Sequence, residues 1–201
     1  LVSGPDVAES GYYKVQSDGD WKNYLPLQYS PTVMNEPDNQ FVDLVNNGLA
    51  DIVQVQPEQL QLYTNKAGQG FNGPIIALND QALPSQRQGD SQELWTFVDI
   101  LGGGTQCLVR ITSGRIQCWP GVGYGQFAEP ILFGNAPDFN GELNKGLNEK
   151  QGQKFDSSRL FIADLDGNGL PDLIYGHDDH AAIYLNQSGN QFADPIRIAL
   201  P

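Results

Sequence analysis

The chain has 201 residues, 39% of them hydrophobic, with 24 acidic residues against 11 basic ones and a formal net charge of −13. That length can bury one sizeable core, and the acidic surplus excludes nucleic acid and anionic membrane surfaces as leading partners, because both repel a polyanion. Calcium and basic protein surfaces stay compatible with the charge.

No apolar run approaches the ~20 residues of a membrane-spanning helix, and the opening LVSGPDVAES lacks the basic-then-apolar order of a secretion signal. The only methionine is Met34, so the chain reads as a piece of a longer polypeptide.

In chain order, residues 1–40 read as the tail of a repeat unit and its connector. Tyr13 and Trp21 stand eight residues apart there, within a worn signature GDWKNYLPL. Three fuller units follow, over 41–96, 97–160 and 161–201. They open with FVDLVNNGLADIV at Phe41, FVDILGGGTQCLV at Phe97 and FIADLDGNGLPDLI at Phe161. In each, an aspartate precedes a glycine by five residues: Asp43 and Gly48, Asp99 and Gly104, Asp164 and Gly169.

A second signature, FNGPI, FAEPI or FADPI, begins 28 residues after each aspartate, at Phe71, Phe127 and Phe192. Eight residues before each of these stands another aromatic, Tyr63, Trp119 or Tyr184, whose regular recurrence favours packing over a sugar platform.

Inside a unit, short runs of Ile, Leu and Tyr alternate with Gly, Asn and Asp clusters, and no segment sustains a helical period. Tandem β-units of roughly 55 to 65 residues suggest four-stranded propeller blades. Three units and a tail make only an arc, whose end blades would expose apolar flanks and invite self-association of the isolated chain. The connectors Leu78–Trp95 and Gly134–Leu160, the latter carrying a long polar insert, read as surface excursions.

Cys107 and Cys118 flank a hairpin with its turn near Ser113 and Gly114, which puts them on one sheet face, opposite or one diagonal step apart. Two packed thiols are favoured over a cross-strand disulfide, since so local a bridge constrains little.

The third opening is the richest in chemistry. Asp164, Asp166, Asn168 and Asp172 occupy positions 1, 3, 5 and 9, Gly169 permits a sharp turn, and the Leu170 carbonyl stands at position 7. Calcium takes about 6 to 8 oxygen ligands from such a loop, so one calcium site is expected here. The competing reading is an Asp/Asn/Gly turn that caps its own backbone. The first copy, with Val45 at position 3, keeps Asp43, Asn47 and Asp51 as a weak set. In the second, Leu101, Gly103 and Cys107 leave only Asp99.

HDDH places both histidines, His177 and His180, around Asp178 and Asp179 in one turn and reads as an exposed polar turn rather than a transition-metal site. NQS at Asn186 is a glycosylation sequon, but it falls between repeat strands. No nucleophile elbow, zinc-protease helix or phosphate loop occurs, so no enzyme is expected.

The aspartate loop and the trailing F-x-x-P-I resemble the FG-GAP or VCBS-type repeat of integrin-α-like propellers. More narrowly, LVNNGLADIVQVQPEQLQLYTN, RIQCWPGVGYGQFAEPI and IYLNQSGNQFADPI resemble the middle, N-terminal propeller region of the B component of bacterial insecticidal Tc toxin complexes. The resemblance implies an all-β partial β-propeller of tandem four-stranded blades, and an extracellular, secreted assembly. It implies A and C components as partners: B and C would enclose a cytotoxic peptide, and the propeller would dock on and gate the pentameric A component. The alternative is a calcium-dependent carbohydrate-binding or adhesive propeller.

Overall fold

Short β-branched and aromatic runs bounded by glycine and asparagine turns can satisfy their backbone polar groups only by pairing with one another. A computed structural model of the protein, describing residues 10–36, 39–56, 59–77, 92–140 and 154–200, shows that outcome.

The strands are β1 (Gly11–Tyr12), β2 (Leu25–Pro26), β3 (Asn39–Val42), β4 (Asp51–Gln56), β5 (Gln59–Asn65), β6 (Phe71–Ala77), β7 (Leu94–Val98), β8 (Cys107–Thr112) and β9 (Arg115–Trp119). They continue as β10 (Gly121–Gly123), β11 (Gln126–Phe127), β12 (Ile131–Leu132), β13 (Leu160–Ala163), β14 (Asp172–Gly176), β15 (His180–Tyr184), β16 (Asn186–Gln187), β17 (Gln191–Phe192) and β18 (Ile196–Ala199). Among the described residues the only helices are short 3-10 turns.

Three four-stranded antiparallel sheets repeat one order: β3-β4-β5-β6, β7-β8-β9-β12 and β13-β14-β15-β18. Small ribbons, β10 with β11 and β16 with β17, precede the fourth strand of the second and third sheets. Register is preserved across the copies. The cross-strand row Gln40, Val53, Leu62, Ile75 of the first sheet corresponds to Thr96, Val109, Cys118, Ile131 of the second. The third sheet repeats it as Phe161, Ile174, Ile183, Ile196.

The chain divides into two compact units, Leu1–Gln86 with Gly123–Gln126, and Arg87–Val122 with Phe127–Pro201. In the first, Met34, Ile52, Tyr63 and Phe71 form a small core with Leu27 and Val33 against it. In the second, one face of the second sheet, through Val109, Ile111, Ile116 and Cys118, shares a core with Leu173, Tyr175, Ala182 and Tyr184 of the third. The recurring aromatics Tyr63, Trp119 and Tyr184 are buried, as are Phe71, Phe127 and Phe192.

The hairpin turn at Ser113 and Gly114 follows from the pairing of Thr112 with Arg115, and Gly114 takes a left-handed φ of +72°. Val109 lies opposite Cys118, so Cys107, two residues earlier on the same face, is its diagonal neighbour; both are buried, free cysteines.

The connector between Gly134 and Leu160 is not simply a surface excursion. Phe139 and Phe155 are buried at 0% and 3% exposure. Phe139 stacks on Phe155 at 5.0 Å, lies 4.9 Å from Tyr175 and meets Tyr184 edge-on at 5.7 Å. Two aromatics in a polar stretch carry enough apolar surface to pull both ends of the insert into the core. The intervening 141–153, and 78–91 of the earlier connector, lie outside the described residues.

Replacing Phe139 with alanine removes three ring contacts from a closed site and is expected to lower stability by about 3–5 kcal/mol, read as the shift in a urea unfolding curve.

Candidate functional site

Each opening aspartate sits just after the first strand of its sheet, where the chain reverses and its amides lose ladder partners. The three carboxylates meet this need alike. Asp43 accepts from the N–H groups of Asn47 and Gly48 at 3.1 and 2.7 Å. Asp99 accepts from Gly103 and Gly104 at 2.9 and 2.6 Å. Asp164 accepts from Asn168 and Gly169 at 3.2 and 2.9 Å, and also from Gly167 at 2.8 Å. The glycine five residues on takes φ of +80°, +79° and +84° in the three loops, a region that favours glycine, so the aspartate–glycine step is a turn requirement.

A second carboxylate closes the loop from inside. Asp51, fully buried, accepts from Leu44 and Val45 N–H at 3.1 and 3.3 Å and from Asn65 N–H at 2.8 Å. Asp172, also fully buried, accepts from Leu165 and Asn186 N–H at 2.9 and 2.8 Å. Burial pushes the Asp51 carboxyl up, against the pull of those three donors. In the second copy the same position holds Cys107. Its thiol points to the Thr105 carbonyl at 3.9 Å, and the neighbouring Cys118 thiol with the amides of Gly121 and Leu101 draws it below its ordinary value against the effect of burial. Cys118, beside that sulfur and itself buried, is pushed up.

Of the residues singled out in sequence, Asp164, Asp166 and Asp172 come together: one carboxylate oxygen from each lies within 4.8 Å of the others. That spacing fits one ion bonded to all three at calcium–oxygen distances of about 2.3–2.6 Å. Asn168 sits among them but turns its side-chain oxygen to Leu170 N–H at 2.7 Å and its amide to Asp166 at 3.1 Å. Asp164 and Asp166 are exposed, so the cluster opens to solvent on one side.

Asn186 is a contributor that sequence reasoning passed over. It is 2% exposed, and its side-chain nitrogen donates to the Ile100 and Pro171 carbonyls at 2.9 and 3.2 Å. Sugar attachment needs that nitrogen, so the sequon is a structural tie between the second loop and the third sheet. The readable signal was its distance of 14 residues from Asp172, repeated by Asn65 from Asp51.

The HDDH turn is polar but not wholly exposed. The His177 and His180 rings stack at 4.3 Å with an interplanar angle of 11°, and Tyr175 meets His177 edge-on at 4.9 Å. His180 pairs with Asp179 at 2.7 Å, and Arg159 with Asp178 at 2.7 Å. The two imidazoles and Asp179 do not form a three-ligand group among the described residues.

Tandem four-stranded antiparallel sheets, each closed at its first turn by a loop aspartate and a buried acid or thiol, define an all-β repeat protein. A scan of protein-family models and a search of curated proteins gave no match. Among solved structures, a chain of the Photorhabdus luminescens Tc holotoxin pore carrying the TccC3-D651A mutation is 32% identical, with a TM-score of 0.79, over 100% of this chain and 9% of its own length. A chain of TcdB2-TccC3 without its hypervariable C-terminal region is 30% identical, with a TM-score of 0.52, over 95% of this chain and 8% of its own. An Agrocybe aegerita lectin that recognises non-reducing terminal N-acetylglucosamine is 18% identical, with a TM-score of 0.58, over 93% of this chain and 45% of its own, which shows the fold alone.

Over its whole length the chain is similar to a segment of these Tc toxin chains, consistent with a segment of a B component. It spans 9% and 8% of the two toxin chains compared.

Burial holds the His177 imidazole below its ordinary value, helped by His180, Arg197 and Arg159 and opposed by Asp179. The folded state therefore prefers neutral His177. Its contribution to stability is complete above the unfolded value of 6.5 and falls as pH drops through the lower folded value. The melting temperature of a His177→Gln variant is expected to decline less than that of the parent between about pH 7.5 and pH 5.

Proposed function

We propose that this chain is a non-catalytic scaffold segment of a Tc toxin B component. With a C component it would enclose a cytotoxic peptide, and through its propeller it would dock on and gate a pentameric A component in an extracellular, secreted complex. The observation that carries this reading is the whole-length likeness, at a TM-score of 0.79, to a chain of a Tc holotoxin pore.

The sheet faces support an arc of blades. Val109 and Cys118 of the second sheet are fully buried in the core shared with the third sheet. The corresponding row of the third sheet leaves Phe161 and Ile196 61% and 51% exposed, with Ile198 at 51% beside it. The repeat's own packing calls for another four-stranded unit on that face, and in the isolated chain the same face would drive self-association.

The acidic cluster is proposed to hold one calcium ion through Asp164, Asp166 and Asp172, with Asn168 and the Leu170 carbonyl completing the set. Calcium there would stiffen a turn whose backbone is already capped. Its role is structural, because the residues that meet the ion also hold the joint between the first two strands of the sheet.

Calcium is expected to raise the melting temperature of the parent protein, and Asp166→Ala, which keeps the buried Asp172, is expected to abolish that rise. An unchanged rise would move the site elsewhere. The docking reading is tested by co-elution of the intact protein with the A-component pentamer of its organism at low and high salt. Complex formation that weakens with salt is expected of an acidic surface on a basic partner. Clean failure with a folded protein would overturn docking and favour an adhesive role.

A further inference from the structure

Two cavities occupy the same address in the repeat, one within each compact unit. The first, about 430 Å³, lies where Tyr63, Gly73 and Pro74 face the segment from Gln28 to Thr32. The second, about 500 Å³, lies where Tyr184, Asp194 and Pro195 face the segment from Asn135 to Asp138. Tyr63 and Tyr184 each follow their loop aspartate by 20 residues, and Pro74 and Pro195 each follow the signature phenylalanine by three. On the facing wall, Pro31 and Pro137 each follow the preceding unit's signature aromatic, Trp21 or Phe127, by ten. A cavity that recurs in register arises from the way one unit's outgoing strand meets the next sheet.

The two copies differ in chemistry. The first is lined by Gln28, Tyr29, Ser30, Thr32, Tyr63 and Phe71 beside its glycine and two prolines, with no charged side chain. On the third sheet the positions of Gln56 and Gln59 carry His177 and His180, and Arg197 lies opposite Ala182 in the register. Asp138 enters from the facing segment, already holding Ser113 Oγ at 2.6 Å and the Asn140 N–H at 3.1 Å. Carboxylate, imidazole and guanidinium groups thus line one cavity, in the size range of about 300–1,000 Å³ usual for small-ligand sites.

We propose that this third-sheet cavity binds a saccharide unit, with Asp194 and Arg197 accepting from and donating to vicinal hydroxyls while Pro137, Ala182 and Pro195 meet the sugar's C–H face. The lining sets Asp138, Asp179 and Asp194 against Arg197 and two histidines, and two of the three carboxylates are already engaged, Asp138 by Ser113 and Asn140 and Asp179 by His180. A neutral polyol can use such paired donors and acceptors without leaving either charge unpaired. This assignment is independent of docking on other toxin subunits.

Saturation-transfer NMR on the intact protein, with a panel of mono- and disaccharides including N-acetylglucosamine, galactose, glucose and mannose, tests it. Transfer to at least one sugar is expected. That transfer should weaken at least tenfold in both Arg197→Ala and Asp194→Asn, with melting temperature and co-elution with the pentamer unchanged. No transfer from folded protein, or transfer indifferent to both substitutions, would overturn the proposal. So would salt-sensitive binding of a tetralysine peptide in place of any sugar.

Discussion

The structure depends on how the chain turns between the first and second strands of each sheet without burying unpaired amides. A loop aspartate collects the N–H groups four and five residues ahead, and a buried acid collects those just after the first strand and one at the end of the third strand or just past it. A buried amide left without an acceptor costs about 1–3 kcal/mol, so these two side chains determine whether the loop can close. The second copy shows which part of this is chemistry and which is geometry. Cys107 keeps the position and its amide partners with a thiol, whereas Asp99 keeps its carboxylate.

With the turns closed, the sheets repeat in register, and side-chain alternation decides which faces meet. The second sheet's Val109, Ile111 and Cys118 share a core with Tyr175 and Tyr184 of the third because strand residues two apart share a face. Asn186 then ties that pair of sheets through a buried amide bonded to Ile100. A polar residue so placed is tolerated because its side-chain oxygen is also used, by Gly189 N–H at 3.1 Å.

A metal at the third loop would add to a turn that is already satisfied. Asp43 and Asp99 cap their loops in the same pattern as Asp164 without a comparable set of carboxylates around them among the described residues. This separates the repeat's architectural use of aspartate from any ligand role, and it fits a scaffold whose copies can gain or lose ligands while keeping their turns.

The sequence by itself determined the β-repeat, its joints and the hairpin at Ser113 and Gly114, because turn chemistry and strand alternation are local and recur at constant spacing. It also brought Asp164, Asp166 and Asp172 into one group, since the three share a single tight loop. Tertiary structure alone decided that Phe139 and Phe155 leave a polar insert for the core, that Cys107 does the work of Asp51 and Asp172, and that Asn186 is spent on a carbonyl 86 residues away. It likewise made the recurring cavities, whose walls come from successive repeats within one compact unit. Burial and long-range partners depend on which faces meet, and no local spacing encodes that.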